Sequence, residues 1–331
     1  MIDTLYVEEE IASHVRTQKI LEKFPSARTI SIDRFSEVFN RTSQNFRLQK
    51  QKPSLILAKK YGRCVHSLPA EHCLTTKKSF YFSIFYNCLF DCAYCYLQGF
   101  FRSAHLLFFV NFEEFFQQID ATIAQHPSEE LLFFSGYESD SLGCEGIFPF
   151  LEEFLPFFQK RPQSFFEIRT KSASTSCLLQ RAPIDNCIIA FSCTPSAIFQ
   201  AFEKKVPPLI QRLEAMKALQ EKGWKVALRL DPLVFFQGFE EEYGKLFSFI
   251  FSTIDAHLIH SVTLGTLRYP KEVYKNMRHL HISSELLAPL FEGENKMFGY
   301  TPDVKEILFT FCEKRLSFYL PKEKIFIQEK R

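Results

Sequence analysis

Three cysteines lie close together in the segment 82–100, which reads FSIFYNCLFDCAYCYLQGF. Cys88, Cys92 and Cys95 form a CxxxCxxC array. Thiolates so near one another in sequence can bind one small inorganic centre at a low cost in loop-closure entropy. They are also one ligand short of closing a 4Fe-4S cubane, so one iron is left open to a chelating molecule. The array therefore predicts iron–sulfur chemistry.

An open iron of this kind can chelate the amino and carboxylate groups of S-adenosylmethionine and bring its sulfonium next to an electron source. A single electron then breaks a carbon–sulfur bond and releases a 5′-deoxyadenosyl radical, which abstracts hydrogen from a substrate. The array thus favours a radical enzyme with two cofactors, a 4Fe-4S cluster and S-adenosylmethionine.

Other uses of the three cysteines stay open. A structural zinc site needs a fourth ligand, and Cys64, His66, His72 and Cys73 are candidates for it. Paired CxxC or HxxxH spacing is missing, however. A cluster that only transfers electrons, and the packing of small apolar side chains, are the remaining alternatives.

The amino-acid composition limits the classes of protein to which this chain can belong. The chain has 331 residues, with 40 Lys and Arg against 38 Asp and Glu, so its net charge of +2 gives no global reason to bind nucleic acid. The N-terminus opens with acidic residues rather than a secretory signal, and the apolar runs are too short to cross a bilayer. We therefore expect a cytoplasmic protein without a membrane partner, in which the cysteines stay reduced.

The elements that must hold the cysteines follow an alternating pattern. From residue 79 onward, short apolar strands alternate with amphipathic helices, which is typical of a parallel sheet with crossover helices. We predict an α/β fold: a partial (β/α)6 TIM-like barrel in residues 76–331, with C-terminal elements, after an N-terminal α/β extension in residues 1–75. The predicted barrel strands cover residues 80–86, 130–135, 165–170, 186–191, 225–230 and 261–264.

Three helices have recognisable boundaries. The charged segment 8–24 is a predicted helix of the extension. Asn111 followed by Glu114 predicts a capped helix that runs to residue 125. Pro208 can open a helix that Gly223 then ends.

Several blocks of the chain resemble the spore photoproduct lyase family in order and spacing. These blocks are CAYCYLQGFFRS, VNFEEF, SGYESDSLG, RTKS, AFSCTP and FEKKVPPLIQRLEAMKALQEKGW. The three-cysteine motif alone is shared by the very large radical S-adenosylmethionine superfamily. The resemblance therefore rests on the residues CYL at positions 95–97, which extend the motif, and on the later blocks. It implies a barrel of the radical S-adenosylmethionine type, a lyase activity on a thymine dimer in DNA, and an electron donor such as flavodoxin or ferredoxin.

The matched polar residues lie at the carboxyl ends of predicted strands, where ligands bind in barrels. By similarity to the family, Ser139, Lys171 and Ser192 hold the methionyl part of the cofactor, and Lys171 meets its carboxylate. Tyr94 occupies the position whose backbone meets the adenine. Asp231 stands where the family has a small apolar residue and is expected in the adenine pocket or on the substrate side.

One position departs from the family pattern. The family returns a hydrogen atom to its substrate from a cysteine just upstream of a Ser-Asp pair, and Tyr137 stands there in this chain. Tyr94 and Tyr96 match residues that relay the hydrogen. A phenol can also give a hydrogen atom to a carbon radical, so Tyr137 is the expected substitute, with Cys144 as the alternative.

This departure keeps other functions open. One is a radical enzyme that acts on RNA, a peptide or a small metabolite. Another is a cluster protein that binds or transfers electrons without turnover. For DNA contact the sequence offers Arg268, Lys204, Lys205 and the basic stretch 41–63.

Overall fold

A computed structural model describes residues 2–68, 77–281, 285–293 and 296–327. The described strands, numbered in chain order, are β1 (Thr4–Glu8), β2 (Arg28–Ile32), β3 (Leu55–Ala58), β4 (Val65–Ser67), β5 (Lys78–Phe82), β6 (Phe85–Tyr86), β7 (Asp91–Cys92), β8 (Leu106–Phe109), β9 (Leu131–Phe134), β10 (Ser164–Thr170), β11 (Cys187–Ser192), β12 (Glu203–Lys204), β13 (Lys225–Leu233), β14 (Ile259–Thr266), β15 (Arg268–Pro270), β16 (Phe291–Glu292), β17 (Met297–Gly299) and β18 (Ile325–Ile327).

The described helices are α1 (Val15–Glu22), α2 (Phe46–Gln51), α3 (Leu97–Phe100), α4 (Phe112–Ala124), α5 (Leu151–Gln159), α6 (Ser176–Leu179), α7 (Ser196–Phe202), α8 (Leu209–Lys222), α9 (Phe239–Thr253), α10 (Lys271–Leu280) and α11 (Pro302–Leu316). Short 3-10 helices span Glu9–Ile11, Phe35–Glu37 and Lys322–Lys324. Within the described ranges, no helix is both long and apolar enough to cross a bilayer.

The larger sheet contains the predicted barrel strands. Its parallel strands lie in the order β5, β9, β10, β11, β13 and β14, so neighbours in the sheet follow the order of the chain. Strand β4 adds to one edge in the antiparallel sense, and β18 adds to the other edge in parallel. This order is the one that successive crossover connections produce, and the predicted α/β partial barrel is confirmed.

The barrel strands are apolar because both of their faces are covered. Every residue of β9 and of β11 is buried. Phenylalanine supplies much of this core: the rings of Phe158 and Phe166 stack at 4.5 Å, and those of Phe82 and Phe154 at 5.2 Å. Each buried ring removes a large apolar area from water, so this packing stabilises the strand ends that hold the site.

A second sheet joins the N-terminal part of the chain to the cysteine segment. Its order is β2, β1, β3, β8 and β6, and β6 ends just before Cys88. The boundary predicted between residues 75 and 76 lies outside the described residues and stays a prediction.

The helix predicted over residues 8–24 is wrong in its first half. Glu8 is the last residue of a strand, Thr4–Glu8, that pairs with β2 and β3, and Glu9–Ile11 is a short 3-10 helix. Tertiary pairing thus overrides the local helical pattern at Glu8. Helix α1 begins only after His14, whose ring accepts a hydrogen bond from the N–H of Arg16 at 3.2 Å. A polar side chain before the helix thus sets its start.

The other two helices lie where the sequence predicts them. Helix α4 forms, but Asn111 does not cap it, because its side-chain amide bonds the N–H and C=O of Lys60 at 2.7 and 2.9 Å. Helix α8 follows Pro208 and ends at Gly223, whose φ of 96° is in the left-handed region that favours glycine.

Candidate active site

A cavity of about 430 Å³ lies at the carboxyl ends of the parallel strands. Residues at or just beyond the last positions of β9, β10, β11, β13 and β14 contribute to its wall, as does the cysteine segment. The site residues expected from the sequence all line it, and they are Cys88, Cys92, Cys95, Tyr94, Tyr96, Tyr137, Ser139, Lys171, Ser192 and Asp231. The fold therefore brings together groups that are up to 143 positions apart in the chain.

The cysteine segment is a tight loop held by backbone contacts. The N–H of Cys95 donates to the carbonyl of Cys92 at 3.0 Å, and the N–H of Phe90 donates to the sulfur of Cys88 at 3.3 Å. Lys50 donates from its ammonium to the Cys88 carbonyl. Burial raises the pKa of Cys88 to about 12 and holds that of Cys92 well above its usual value. The free thiols are therefore protonated.

Not all of the metal ligands predicted from the sequence lie at the cavity. The three cysteines of the array line it, whereas Cys64 and His66 do not. In the part of the chain that the structure describes, no three His, Cys, Asp or Glu side chains are grouped as ligands of one metal ion. His72 and Cys73, the other candidate zinc ligands, lie outside the described residues. Three thiols at one cavity are the donor set expected for a 4Fe-4S cluster with one open iron.

Asp140 ties the loop after β9 to the end of β10. Its carboxylate accepts hydrogen bonds from the Thr170 hydroxyl and the Lys171 N–H, both at 2.6 Å, and from the Gly143 N–H at 2.7 Å. Burial raises the pKa of Asp140, against the effect of these bonds. The neighbouring Ser139 hydroxyl is buried and has no partner among the described residues. A buried hydroxyl in the cavity wall without a partner is expected where a ligand binds.

Tyr94 lies between a cation and an anion. The Lys171 ammonium is 5.4 Å from the centre of the Tyr94 ring, and the Tyr94 hydroxyl donates to the Glu203 carboxylate. Burial by itself lowers the pKa of Lys171, but the charge of Glu203 opposes it and the pKa is raised. The Tyr94 carbonyl accepts from the Tyr269 hydroxyl at 2.7 Å. Lys171 is therefore a charged donor beside the cysteine segment.

Sequence reasoning missed Glu203 and its partner Arg212. Both side chains are fully buried, and Arg212 donates to Glu203 at 3.4 Å and to the Ser192 carbonyl at 2.7 Å. Glu203 also pairs with Cys92 across the two-stranded ladder of β12 and β7. Arg212 has helical spacing with the buried Met216 of α8, and a charge on an apolar helix face is the signal that could have found the pair.

Three tyrosines, Tyr81, Tyr96 and Tyr137, form a contiguous group that lines the cavity. The rings of Tyr81 and Tyr137 stack at 4.2 Å, and those of Tyr96 and Tyr137 lie 6.1 Å apart. The Tyr96 hydroxyl donates to the Tyr137 carbonyl. Cys144 is buried and does not line the cavity. Of the two expected hydrogen donors, Tyr137 is thus the one at the cavity wall.

Asp231 lies in the cavity wall between two arginines. Its carboxylate is 3.0 Å from a guanidinium nitrogen of Arg268 and 3.6 Å from one of Arg169. Arg268 was expected as a DNA contact. Arg169 was not singled out, because it lies within β10 and not after its end.

Comparison with known proteins gives one family. The model of the spore photoproduct lyase family matches residues 73–278. The spore photoproduct lyase of Bacillus subtilis (strain 168) is 24% identical over 184 residues, which cover 55% of this chain and 54% of that protein. The spore photoproduct lyase of Clostridium acetobutylicum is 23% identical over 48% of each chain. The alignments thus span about half the length of the curated relatives.

Solved structures extend the likeness to the whole fold. A spore photoproduct lyase mutant with bound AdoMet and dinucleoside spore photoproduct has a TM-score of 0.84 with 18% identity, over 99% of this chain and 98% of that one. A spore photoproduct lyase complexed with dinucleoside spore photoproduct has a TM-score of 0.83 with 18% identity and the same coverage.

Proposed function

Because this chain belongs to the spore photoproduct lyase family, we propose that it is a radical S-adenosylmethionine enzyme that repairs spore photoproduct, a thymine dimer lesion, in DNA. One observation carries the proposal. Cys88, Cys92 and Cys95 line the same cavity as Ser139 and Lys171. The groups needed to bind a cluster and those needed to bind an amino-acid cofactor therefore share one space.

Three thiols are the proposed ligands of a 4Fe-4S cluster: those of Cys88, Cys92 and Cys95. When bound, the cluster and S-adenosylmethionine supply a 5′-deoxyadenosyl radical that removes a hydrogen atom from the substrate. Because burial raises the pKa of these thiols, binding of iron must displace their protons. Cluster assembly is therefore expected to be more favourable at higher pH.

Lys171, Ser139, Ser192 and Asp231 are the proposed contacts of S-adenosylmethionine. The charged Lys171 suits the carboxylate, since an ammonium and a carboxylate make a strong, charge-assisted hydrogen bond. The Ser139 hydroxyl, which has no partner in the described parts of the chain, can bond the same end of the cofactor. Ser192 is held in place because Arg212 binds its carbonyl at 2.7 Å.

Tyr137 is the proposed source of the returned hydrogen atom. Its O–H bond breaks, a C–H bond forms on the substrate radical, and the resulting phenoxyl regains a hydrogen atom from the Tyr96 hydroxyl. One electron from the donor protein and a proton from solvent then restore Tyr96. The rings of Tyr96 and Tyr137 lie 6.1 Å apart and both residues line the cavity, which supports transfer between them. Tyr94 is also expected in the relay. Its hydroxyl donates to Glu203 and its ring lies 5.4 Å from the Lys171 ammonium, so it is close to a proposed cofactor contact.

Two partners follow from the proposal. The substrate is DNA that carries the lesion. The single electron needed for each cleavage comes from a donor such as flavodoxin or ferredoxin. We place the protein in the cytoplasm, because a reducing compartment keeps the thiols available for iron.

Anaerobic turnover tests the function. The protein is reconstituted with iron and sulfide, reduced with dithionite, and offered S-adenosylmethionine with dinucleoside spore photoproduct. We expect methionine, 5′-deoxyadenosine and repaired thymidines, measured by chromatography. Cleavage of the cofactor without repair of the lesion would refute the substrate, and no cleavage by a fully reconstituted protein would refute the enzyme class.

Cysteine variants supply the control. Cys92→Ala removes a proposed ligand, so iron content and cofactor cleavage should both be lost. Cys177→Ala removes a partly exposed cysteine that does not line the cavity, and both properties should remain. Equal loss in the two variants would mean that the effect is a general one on folding.

A further inference from the structure

Helix α2 belongs to the N-terminal part of the chain, yet it lies against the cysteine segment. Its Arg47 donates to the Asp91 carboxylate at 2.9 Å and to the Gln98 side chain at 3.2 Å. Both partners belong to the segment that contains the three cysteines. The helix itself lies outside residues 73–278, which the family model matches, so that match does not account for these contacts.

Lys50 is buried between this helix and the first cysteine of the array. It is 6% exposed, and its ammonium donates to the carbonyl of Cys88. The Lys205 ammonium donates in turn to the Lys50 carbonyl at 3.0 Å. Lys50 does not line the cavity, whereas Cys88 does, so the lysine reaches the cysteine from outside the cavity. Lys50 is part of the basic stretch 41–63 that the sequence offers for DNA contact, but its burial keeps it from the surface of a duplex.

The charge of Lys50 acts on the thiols that are the proposed cluster ligands. Burial raises the pKa of Cys88 and of Cys95, and in both cases the charge of Lys50 opposes this effect. The other charged groups that act on the three thiols are Asp140, Lys171, Asp91 and Glu203. Lys50 is thus one of several charges of both signs around the cysteines, and changing it alone isolates its contribution.

A buried cation beside an iron–sulfur cluster favours reduction of that cluster. Reduction moves one electron from a donor to the cluster, so the donor is oxidised by one electron and the cluster becomes more negative by one charge. A fixed positive charge stabilises the more negative state, and a buried charge is weakly screened by water. The sign of this effect does not depend on the sum of the surrounding charges, because removing one positive charge makes the reduced state less favourable whatever the others are.

We propose that Lys50 raises the reduction potential of the 4Fe-4S cluster and so helps a one-electron donor to reduce it. Lys50 contacts a ligand residue and neither cofactor nor substrate, so it is a positioning residue. This inference rests on the proposed function, since it needs the cluster. It adds a contribution of the N-terminal part of the chain to the chemistry at the barrel.

A redox titration of the reconstituted protein tests the inference without turnover. The fraction of reduced cluster is followed by electron paramagnetic resonance against the applied potential. Lys50→Gln removes the charge but keeps an N–H donor for the Cys88 carbonyl. We expect its equilibrium to shift roughly tenfold toward the oxidised cluster, equivalent to a midpoint potential about 59 mV lower for one electron. Lys50→Arg keeps the charge and should have a potential close to that of the unaltered protein.

A second neutral variant and a matched control complete the set. Lys50→Met also removes the charge and should lower the potential, and it decides if Lys50→Gln does not bind iron. Lys23→Gln is the control, because the exposed Lys23 ammonium likewise donates to backbone carbonyls, those of Gly146 and Ile147, both at 3.0 Å. Lys23 does not line the cavity, and its variant should leave the potential unchanged. Iron per chain is measured for each protein, so that potentials are compared at full loading.

Four outcomes would overturn the inference while the unaltered enzyme still cleaves S-adenosylmethionine. An unchanged potential in Lys50→Gln at full iron content would leave Lys50 a structural contact. Equal decreases in Lys50→Gln and Lys50→Arg would trace the shift to geometry and not to charge. Loss of iron in both neutral variants but not in Lys50→Arg would assign the charge to cluster assembly. Loss of iron in all three would assign Lys50 to folding. An unaltered protein that binds no cluster would instead refute the proposed function, and the inference with it.

Discussion

The hydroxyl of Tyr94 donates a hydrogen bond to the carboxylate of Glu203, which lies 109 positions later in the chain. The same carboxylate accepts from Thr194 at 2.8 Å and from Arg212 at 3.4 Å. Because Glu203 also pairs with Cys92 across the ladder of β12 and β7, one buried residue braces two positions of the cysteine segment. The geometry of the proposed cluster ligands therefore depends on a residue outside the motif.

Removing the charge of Glu203 should damage both the fold and the metal site. Glu203→Gln leaves the fully buried Arg212 without its counter-ion, and breaking a buried pair in this way costs about 3–5 kcal/mol. We expect a lower urea midpoint and less iron per chain after reconstitution. Glu214→Gln, on the exposed face of α8, should change neither. Normal iron content in Glu203→Gln would show that the brace is not needed for the ligands.

The Tyr137 hydroxyl should control the return of hydrogen. Tyr137→Phe keeps the ring that stacks on Tyr81 but removes the O–H bond. Release of 5′-deoxyadenosine should continue, while repaired product per cleavage falls at least tenfold, equivalent to about 1.4 kcal/mol in the barrier. In heavy water the unaltered enzyme should place deuterium in the product, because phenol protons exchange with solvent, and Tyr137→Phe should not.

Two controls accompany this variant. Tyr319→Phe changes an exposed tyrosine that does not line the cavity and should have no effect. Cys144→Ala should also leave the product ratio unchanged, since Cys144 does not line the cavity. Loss of product in Cys144→Ala, with normal product in Tyr137→Phe, would reverse the assignment of the donor.

Glu145 should make stability depend on pH. It is 5% exposed, one of its oxygens accepts from the Leu151 N–H at 3.2 Å, and the other has no partner among the described residues. Burial raises the pKa of Glu145 to about 8, against an opposing effect of Arg181. In the unfolded chain a glutamate has a pKa of about 4.3, so the folded state binds an extra proton between these values.

The sign of the effect follows from this difference. Stability from the neutral Glu145 is fully present below about pH 4 and is lost as the pH rises through about 8, a total of roughly 5 kcal/mol. Glu145→Gln should remove this dependence and be more stable than the unaltered protein at pH 9. Urea unfolding at pH 6 and pH 9 measures it. Parallel pH profiles for the two proteins would show that Glu145 is not the responsible group.

Gly136 should tolerate no side chain. A Cβ added there would lie 2.7 Å from the Ser141 hydroxyl oxygen and 3.1 Å from the Arg169 carbonyl oxygen. Gly136→Ala should therefore cost about 1–3 kcal/mol and displace the neighbouring Tyr137. At Gly146 an added Cβ meets nothing within 4 Å, so Gly146→Ala should change the free energy of unfolding by about 0.5 kcal/mol or less. Equal stability of the two variants would contradict the close approach.

The sequence by itself determined the sheet and the set of site residues at the carboxyl ends of its strands. Apolar strands separated by amphipathic helices leave few arrangements other than parallel strands in chain order, and the carboxyl ends of such strands meet. That rule is enough to place Cys88, Ser139, Lys171, Ser192 and Asp231 around one cavity. Local boundaries such as the end of α8 at Gly223 also follow from the conformational preference of one residue.

Only the tertiary structure decided which side chains from distant parts of the sequence contact those site residues. Glu203 reaches Tyr94 because a short strand after α7 folds back on the cysteine segment, and no local pattern encodes that pairing. The contact of Asp231 with Arg169 and Arg268 depends in the same way on the twist and register of three strands. Periodicity indicates that a residue is on a face of an element, but the charge it meets there depends on packing between elements.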